Sequence, residues 1–242
     1  MELLKKAPLT EAVCEILFMP STAFDNTLPG VLFTELKNEF PMKMEKPANL
    51  LPVQSIQNNR VIEHIPISIS QFFSSDNTEA VQIGKDLLVC NMMAPYKGWT
   101  SFKQQILRVL NIYYSNFIEK PAIRRITLRY VNTFVFDAND DYGKIFSFPL
   151  PSPPDQTYQK NRAFQTLVEY DTDNGDILSL QFKSVFPPDA SKKSVILEIN
   201  NFLLRPSVMD STEFENWLDS AHKSVEDLFI ASFRKVYFEK LK

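Results

Sequence analysis

Ile123-Arg124-Arg125-Ile126-Thr127-Leu128-Arg129-Tyr130-Val131-Asn132-Thr133-Phe134-Val135-Phe136 alternates apolar and polar side chains over a length that a long β-strand uses. Ile126, Leu128, Tyr130 and Phe134 share one face, and Arg125, Thr127, Arg129 and Thr133 share the other. Pro121 stands just before this run, as Pro8 stands before a second strand-like run at residues 11–19. Outward from each run the order repeats: apolar strands, a proline-bearing turn (Pro95, Pro206), then a long amphipathic helix beginning near Ser101 or near Ser211. That spacing is far longer than the roughly 20–50 residues of solenoid units, so it predicts a duplicated domain. The expected fold is α+β, with duplicated β-α-β-β-β-α units at residues 1–120 and 121–242. They form a largely antiparallel sheet with long helices packed on one face and share one continuous core, a single globular domain.

The first unit continues with a helix capped at Thr27, with Pro29 in its first turn and Leu28, Leu32, Leu36 and Phe40 on one side. Strands are expected around residues 53–57, 65–73 and 81–92, the second placed at an edge, or started, by Pro66. Ser101 and Gln104 have capping-box spacing ahead of the stripe Phe102, Ile106, Val109, Leu110, Tyr113 and Phe117. In the second unit a short helix is expected at residues 140–146 and an extended proline-rich loop from Pro149 to about residue 162. Strands at residues 164–171 and 177–186 flank Asp173-Asn174-Gly175-Asp176, a hairpin turn because Asn-Gly tolerates positive φ. A strand at residues 194–204 precedes a helix capped by Asp210 and Glu213, with Phe214, Trp217, Leu218, Ala221, Val225, Leu228 and Phe229 on its stripe.

Composition bounds the function. Forty-four per cent hydrophobic residues, with twenty Phe, supply an ample core for 242 residues. A formal charge of −3 argues against nucleic acid as an obligatory partner, since phosphate binding needs a concentrated basic surface. Cys14 and Cys90 lie in apolar strand runs and read as buried free thiols of a reducing compartment. The N-terminus lacks the apolar core of a signal peptide and no run reaches membrane-spanning length, so a cytoplasmic location without a membrane partner is expected.

Several enzyme classes fall away. Two histidines, His64 and His222, cannot build a His-rich metal site, and neither H-E-x-x-H nor C-x-x-C occurs. Five scattered glycines build neither a P-loop nor a dinucleotide fingerprint, so no cofactor is expected. The acidic turn at 171–176 lacks the bidentate Glu of a calcium loop, with Gln181 in its place. Asp137, Asp140 and Asp141 read as an acidic loop capping a short helix, and no metal site or catalytic residue is assigned. His222 reads as a half-exposed helix histidine paired with Glu226, and His64 as a surface residue.

Polar residues inside the strands carry the functional interest, because an unpaired charge there is costly. Glu15, Arg125, Arg129, Asn132, Glu198 and Asn200 lie in apolar stretches, with Gln82, Gln165, Glu169, Gln181 and Lys183 on neighbouring strands. Two readings stand: a solvated face with cross-strand ion pairs, or a polar groove that recognises a peptide, a protein loop or a nucleotide segment. Tyr96 and Trp99, at the corner before the first long helix, read as packing residues, Trp99 as a staple on the Lys103 stem or on a nearby core residue, or as aromatic anchors for a partner.

Ala7-Pro8-Leu9-x-Glu11-Ala12-Val13-x-Glu15, Asn91, Pro95-Tyr96-x-Gly98-Trp99-x-x-Phe102, Arg125-Ile126-x-Leu128-Arg129-Tyr130-x-Asn132, and His222 with Phe229 together resemble a sporadically distributed family of uncharacterised prokaryotic proteins of about this length. The resemblance implies no established activity. The family's patchy distribution is similar to that of mobile defence or toxin–antitoxin genes, which implies a protein partner encoded nearby.

Three functions follow as expectations. The first is a non-enzymatic binding or regulatory protein that holds a macromolecular partner, with Glu15, Arg125, Arg129, Asn132, Glu198, Asn200, Tyr96 and Trp99 as its candidate binding residues. The second is an enzyme or small-ligand protein with Arg129, Glu15 and Glu198 in a pocket between sheet and helices. The third is nucleic-acid binding on a saddle-like sheet face, by analogy of fold with the TATA-binding saddle and ranked below protein binding on charge. Exposed edge strands also invite a homodimer.

Overall fold

The computed structural model describes residues 8–20, 25–46, 69–148, 163–185, 189, 191–204 and 208–241. In chain order the elements are β1 (Leu9–Phe18), α1 (Leu28–Leu36), β2 (Met42–Lys46), β3 (Ile69–Phe73), β4 (Glu79–Gly84), β5 (Leu87–Met93), α2 (Trp99–Ser115), β6 (Ile123–Asp137), α3 (Tyr142–Ile145), β7 (Gln165–Asp171), β8 (Ile177–Val185), β9 (Lys192–Leu203), α4 (Ser211–Ala231) and α5 (Lys235–Leu241). The nine strands form one sheet in the order β2-β3-β4-β5-β1-β6-β9-β8-β7, antiparallel at every described pairing. β1 and β6 lie side by side at its centre, with β5, β4 and β3 outward from β1 and β9, β8 and β7 outward from β6. The class is therefore α+β.

Alternation decides which face is covered. Ala12, Cys14, Ile16 and Phe18 of β1, Leu88, Cys90 and Met92 of β5, Ile126, Leu128, Tyr130 and Phe134 of β6, and Val195, Leu197 and Ile199 of β9 are buried in the main core. The stripes of α2 (Phe102, Ile106, Val109) and α4 (Phe214, Leu218, Ala221, Val225) join the same core, as do the buried leucines of α1. At one end Phe146 centres an aromatic cluster: its ring lies 4.6–6.1 Å from those of Phe134, Phe136, Tyr142, Phe148, Phe182 and Phe233.

Local rules place most boundaries. Asp210 accepts from the Glu213 amide while the Glu213 carboxylate accepts from the Asp210 amide, the anticipated capping box of α4. Gly175, at φ 80°, turns the β7–β8 hairpin.

Other boundaries differ from expectation. The run 81–92 is two strands, because the chain reverses at Gly84-Lys85-Asp86, with Asp86 at φ 58°, a left-handed conformation that Asp tolerates. α2 begins at Trp99 rather than beyond Ser101, and its N-cap is Gly98 at φ 95°, with no side-chain cap. Thr27 likewise caps α1 without a side-chain bond. β2 and α5 are additional elements. The expected strand at 53–57, residues 65–68 of the next, the loop at 149–162 and His64 lie outside the described residues.

One core residue opposes stability. Asn201 is 1 % exposed on the helix-covered face of β9, and among the described residues neither amide atom has a hydrogen-bond partner. Asn201→Leu, close in shape and free of polar atoms, is expected to stabilise the protein by about 1–3 kcal/mol. Urea midpoints of the two proteins check this.

Candidate functional site

The face of the sheet turned away from the helices is polar at its centre. Along β6 it presents Arg125, Thr127, Arg129, Val131, Thr133 and Val135, since the intervening positions are in the core. Register adds Glu11, Val13 and Glu15 from β1, Glu198 and Asn200 from β9, Ser179, Gln181 and Lys183 from β8, and Glu169 from β7. Val13, Ile69, Leu87 and Val89 form a small second apolar cluster on this face, to which no described helix contributes.

Two polar networks cross it. On the first half, Gln71 Nε2 donates to Gln82 Oε1 at 2.7 Å, Gln82 Nε2 to Asn91 Oδ1 at 2.8 Å, and Asn91 Nδ2 to Glu11 Oε1 at 2.7 Å. This relay runs over four adjacent strands and ends on a carboxylate. Over the second half, Arg125 Nη2 donates to Glu15, Arg129 Nη1 lies 3.8 Å from Glu198 Oε1, and Asn200 Nδ2 donates to Ser179 Oγ at 3.2 Å and to Glu198 Oε1 at 3.3 Å. Cross-strand partners of opposite sign thus hold both arginines in place.

Five of the eight candidate binding residues meet here: Glu15, Arg125, Arg129, Glu198 and Asn200. The other three do not. Asn132 falls on the helix-covered side of β6, where its Nδ2 donates to the Leu197 carbonyl at 3.3 Å. Tyr96 and Trp99 also belong to the helix side. The Trp99 ring stacks on His222 at 4.2 Å and its Nε1 donates to Asp219 Oδ1 at 3.0 Å, so it packs against the core at this corner, as the packing reading expects. Lys103 donates to Asp219 and Glu215, both at 3.1 Å.

His222 is correspondingly mostly buried rather than a half-exposed helix residue. Its Nδ1 lies 3.0 Å from the Tyr130 hydroxyl, which lies 3.2 Å from that of Tyr96. Glu226 is 4.0 Å from Nε2. Burial lowers the His222 pKa to about 4 and outweighs the carboxylates of Glu226 and Asp219, which raise it. The ring is therefore neutral near pH 7, and its Nδ1 shares a hydrogen bond with the Tyr130 hydroxyl whose direction the tautomer sets. Burial raises the Tyr130 hydroxyl well above its usual range and pushes Tyr96 up to about 12. This chain clasps the corner before α2 to α4, with neither phenol ionised.

Cys14 and Cys90 face each other across β1 and β5 as buried free thiols, both raised by burial, Cys90 to about 12. Among the described residues no group of three or more His, Cys, Asp and Glu side chains could hold a metal ion, and no described helix is long and apolar enough to cross a membrane. A crevice between α2 and α4 lined by Leu107, Leu110, Tyr114 and Phe214 has a volume of about 10 Å³, room for about one water. No family model matches the chain, and no curated protein matches it.

Proposed function

We propose that this chain is a non-enzymatic binding or regulatory protein of the cytoplasm, which holds a macromolecular partner on the sheet face turned away from the described helices, here called the helix-free face. The observation that carries this reading is the row of polar side chains running over the face from Gln71 to Glu198, seated on the strands of one sheet. Rigid strands hold such groups better than loops.

Duplication belongs to the same proposal. The outward orders β1-β5-β4-β3 and β6-β9-β8-β7 support two copies of one unit meeting at β1 and β6. The resemblance to a sporadically distributed prokaryotic family supports a partner encoded in the same gene cassette. Free thiols fit a reducing compartment.

An enzyme with Arg129, Glu15 and Glu198 in a pocket has less support, because each of these groups is committed to a partner of opposite charge. Nucleic acid has less support on charge. In β1, β6, β7, β8 and β9, leaving aside the paired Asp137 and Lys192, the face carries Glu11, Glu15, Glu169, Asp171 and Glu198 against Arg125, Arg129 and Lys183. The edge strands β2 and β7 leave room for a homodimer.

Purification of the tagged full chain from its native host tests the reading. A stoichiometric macromolecule is expected with the wild type and is expected to be lost with Arg129→Glu, which sets two like charges together at the centre of the face. Recovery of nothing, or equal recovery with both proteins when circular dichroism shows both folded, contradicts it.

A further inference from the structure

Arg125, Thr127 and Arg129 take successive same-face positions on β6, and each carries a buried polar atom that lacks a hydrogen-bond partner among the described residues: Arg125 Nε, Thr127 Oγ1 and Arg129 Nε. An unmade buried hydrogen bond costs more than a made one contributes, so three in a row on the central strand mark a place built for something else. The charges themselves are answered. Arg125 uses Nη2 for Glu15 and Arg129 turns Nη1 toward Glu198, which leaves both Nε–H groups unused.

We propose that Arg125 Nε–H, Thr127 Oγ1–H and Arg129 Nε–H take alternate backbone carbonyls, those on one side of an extended polypeptide segment of the partner protein, laid along β6. This rests on the helix-free face being the partner site. Spacing supports it: same-face positions of a strand repeat about every 6.6–6.8 Å, and so do the carbonyls on one side of an extended peptide. Charge selects the acceptor. With each arginine already opposed by a glutamate and carboxylates in excess around them, a phosphate or another oxyanion gains little attraction, whereas a neutral carbonyl needs only the donors. Basic side chains on the segment suit Glu11, Glu169 and Glu198.

Of the three side chains Arg129 is the most open to solvent, at 34 %, and its 3.8 Å contact with Glu198 is an ion pair too long for a hydrogen bond. Val135, 62 % exposed further along the same face, offers apolar contact to an alternate side chain of the segment.

The test uses the full chain and a displayed library of random twelve-residue peptides. Affinities of enriched peptides are measured for the wild type, for Arg125→Lys with Arg129→Lys, which keeps both charges and removes both Nε–H donors, and for Thr127→Val, which keeps the shape and removes the hydroxyl. Enrichment of Lys- and Arg-containing peptides is expected. Binding is expected to weaken about tenfold in each variant while circular dichroism shows each folded, and neither oligo-dT of twenty nucleotides nor inorganic phosphate is expected to compete. Absence of enrichment, wild-type affinity in the lysine or the valine variant, or competition by the oligonucleotide or phosphate overturns the proposal. If the native partner is lost with Arg129→Glu but retained by the lysine and valine variants, the partner-binding reading stands and the carbonyl row falls.

Discussion

Between pH 6.5 and pH 4 the protein is expected to lose about 2–3 kcal/mol of folding stability, and His222→Phe is expected to remove most of that loss. Burial against Trp99 and Tyr130 holds the folded-state pKa of His222 at about 4, against 6.5 for an ordinary histidine. As the pH falls, the unfolded chain therefore takes up the proton first. The contribution is full above about pH 6.5 and is lost as the pH drops toward 4. The full shift sets an upper bound, and residual solvent contact of the ring lowers it. Phenylalanine keeps the stacking on Trp99 and removes the titrating group, while the Tyr130 hydroxyl keeps Tyr96. Urea unfolding at pH 7, 5.5 and 4 measures both slopes; equal slopes in the two proteins refute this account of the clasp. Asp76 and Asp219, whose hydrogen-bond partners hold their pKa values low, lose their contributions at more acidic pH and leave this window to the histidine.

Phe146→Ala is expected to cost about 3–5 kcal/mol, which for a chain of this size lowers the thermal midpoint by roughly 6–20 °C. Phe146 is fully buried and meets six other aromatic rings from β6, β8, α3 and the segments flanking α3 and α5. Its backbone also bridges to Phe233, so truncation opens a cavity that neighbours on several elements must close together. Phe146→Leu retains most of the volume and is expected to lose less than half as much. Calorimetry of the three proteins checks the order; a Phe146→Ala midpoint within 2 °C of wild type, against that roughly 6–20 °C expectation, contradicts the placement of this ring in the shared core.

The strand decisive for the fold was legible because β6 alternates over most of its length, and from Arg125 to Phe136 its even positions fall on the core face and its odd positions on the other. The closing helices were legible from their stripes, and Asp210 with Glu213 from its spacing. Residues 81–92 misled because the apolar run continues past Gly84-Lys85-Asp86, where a two-residue reversal leaves little compositional trace. β2, with only five residues and two lysines, carries no strand periodicity strong enough to read.

The site was legible only in part, for a physical reason. Arg125, Arg129 and Glu198 stood out because charges inside apolar strands need partners. Gln71, Gln82 and Asn91 are unremarkable polar residues one by one, and only the register over β3, β4, β5 and β1 brings them into one relay. The clasp was hidden more deeply. Tyr130 and His222 are 92 residues apart in sequence, and the helical pairing of His222 with Glu226 suggested an exposed residue when burial in fact dominates its chemistry.

A photo-crosslinking residue placed at Val135 or at Val236 in the native host shows whether a partner occupies the helix-free face. Both positions are exposed, 62 % and 77 %, the first on the polar face of β6 and the second on α5. A discrete crosslinked partner is expected from position 135, absent from position 236 and lost on adding Arg129→Glu. Equal crosslinking from both positions, or none from position 135, contradicts it.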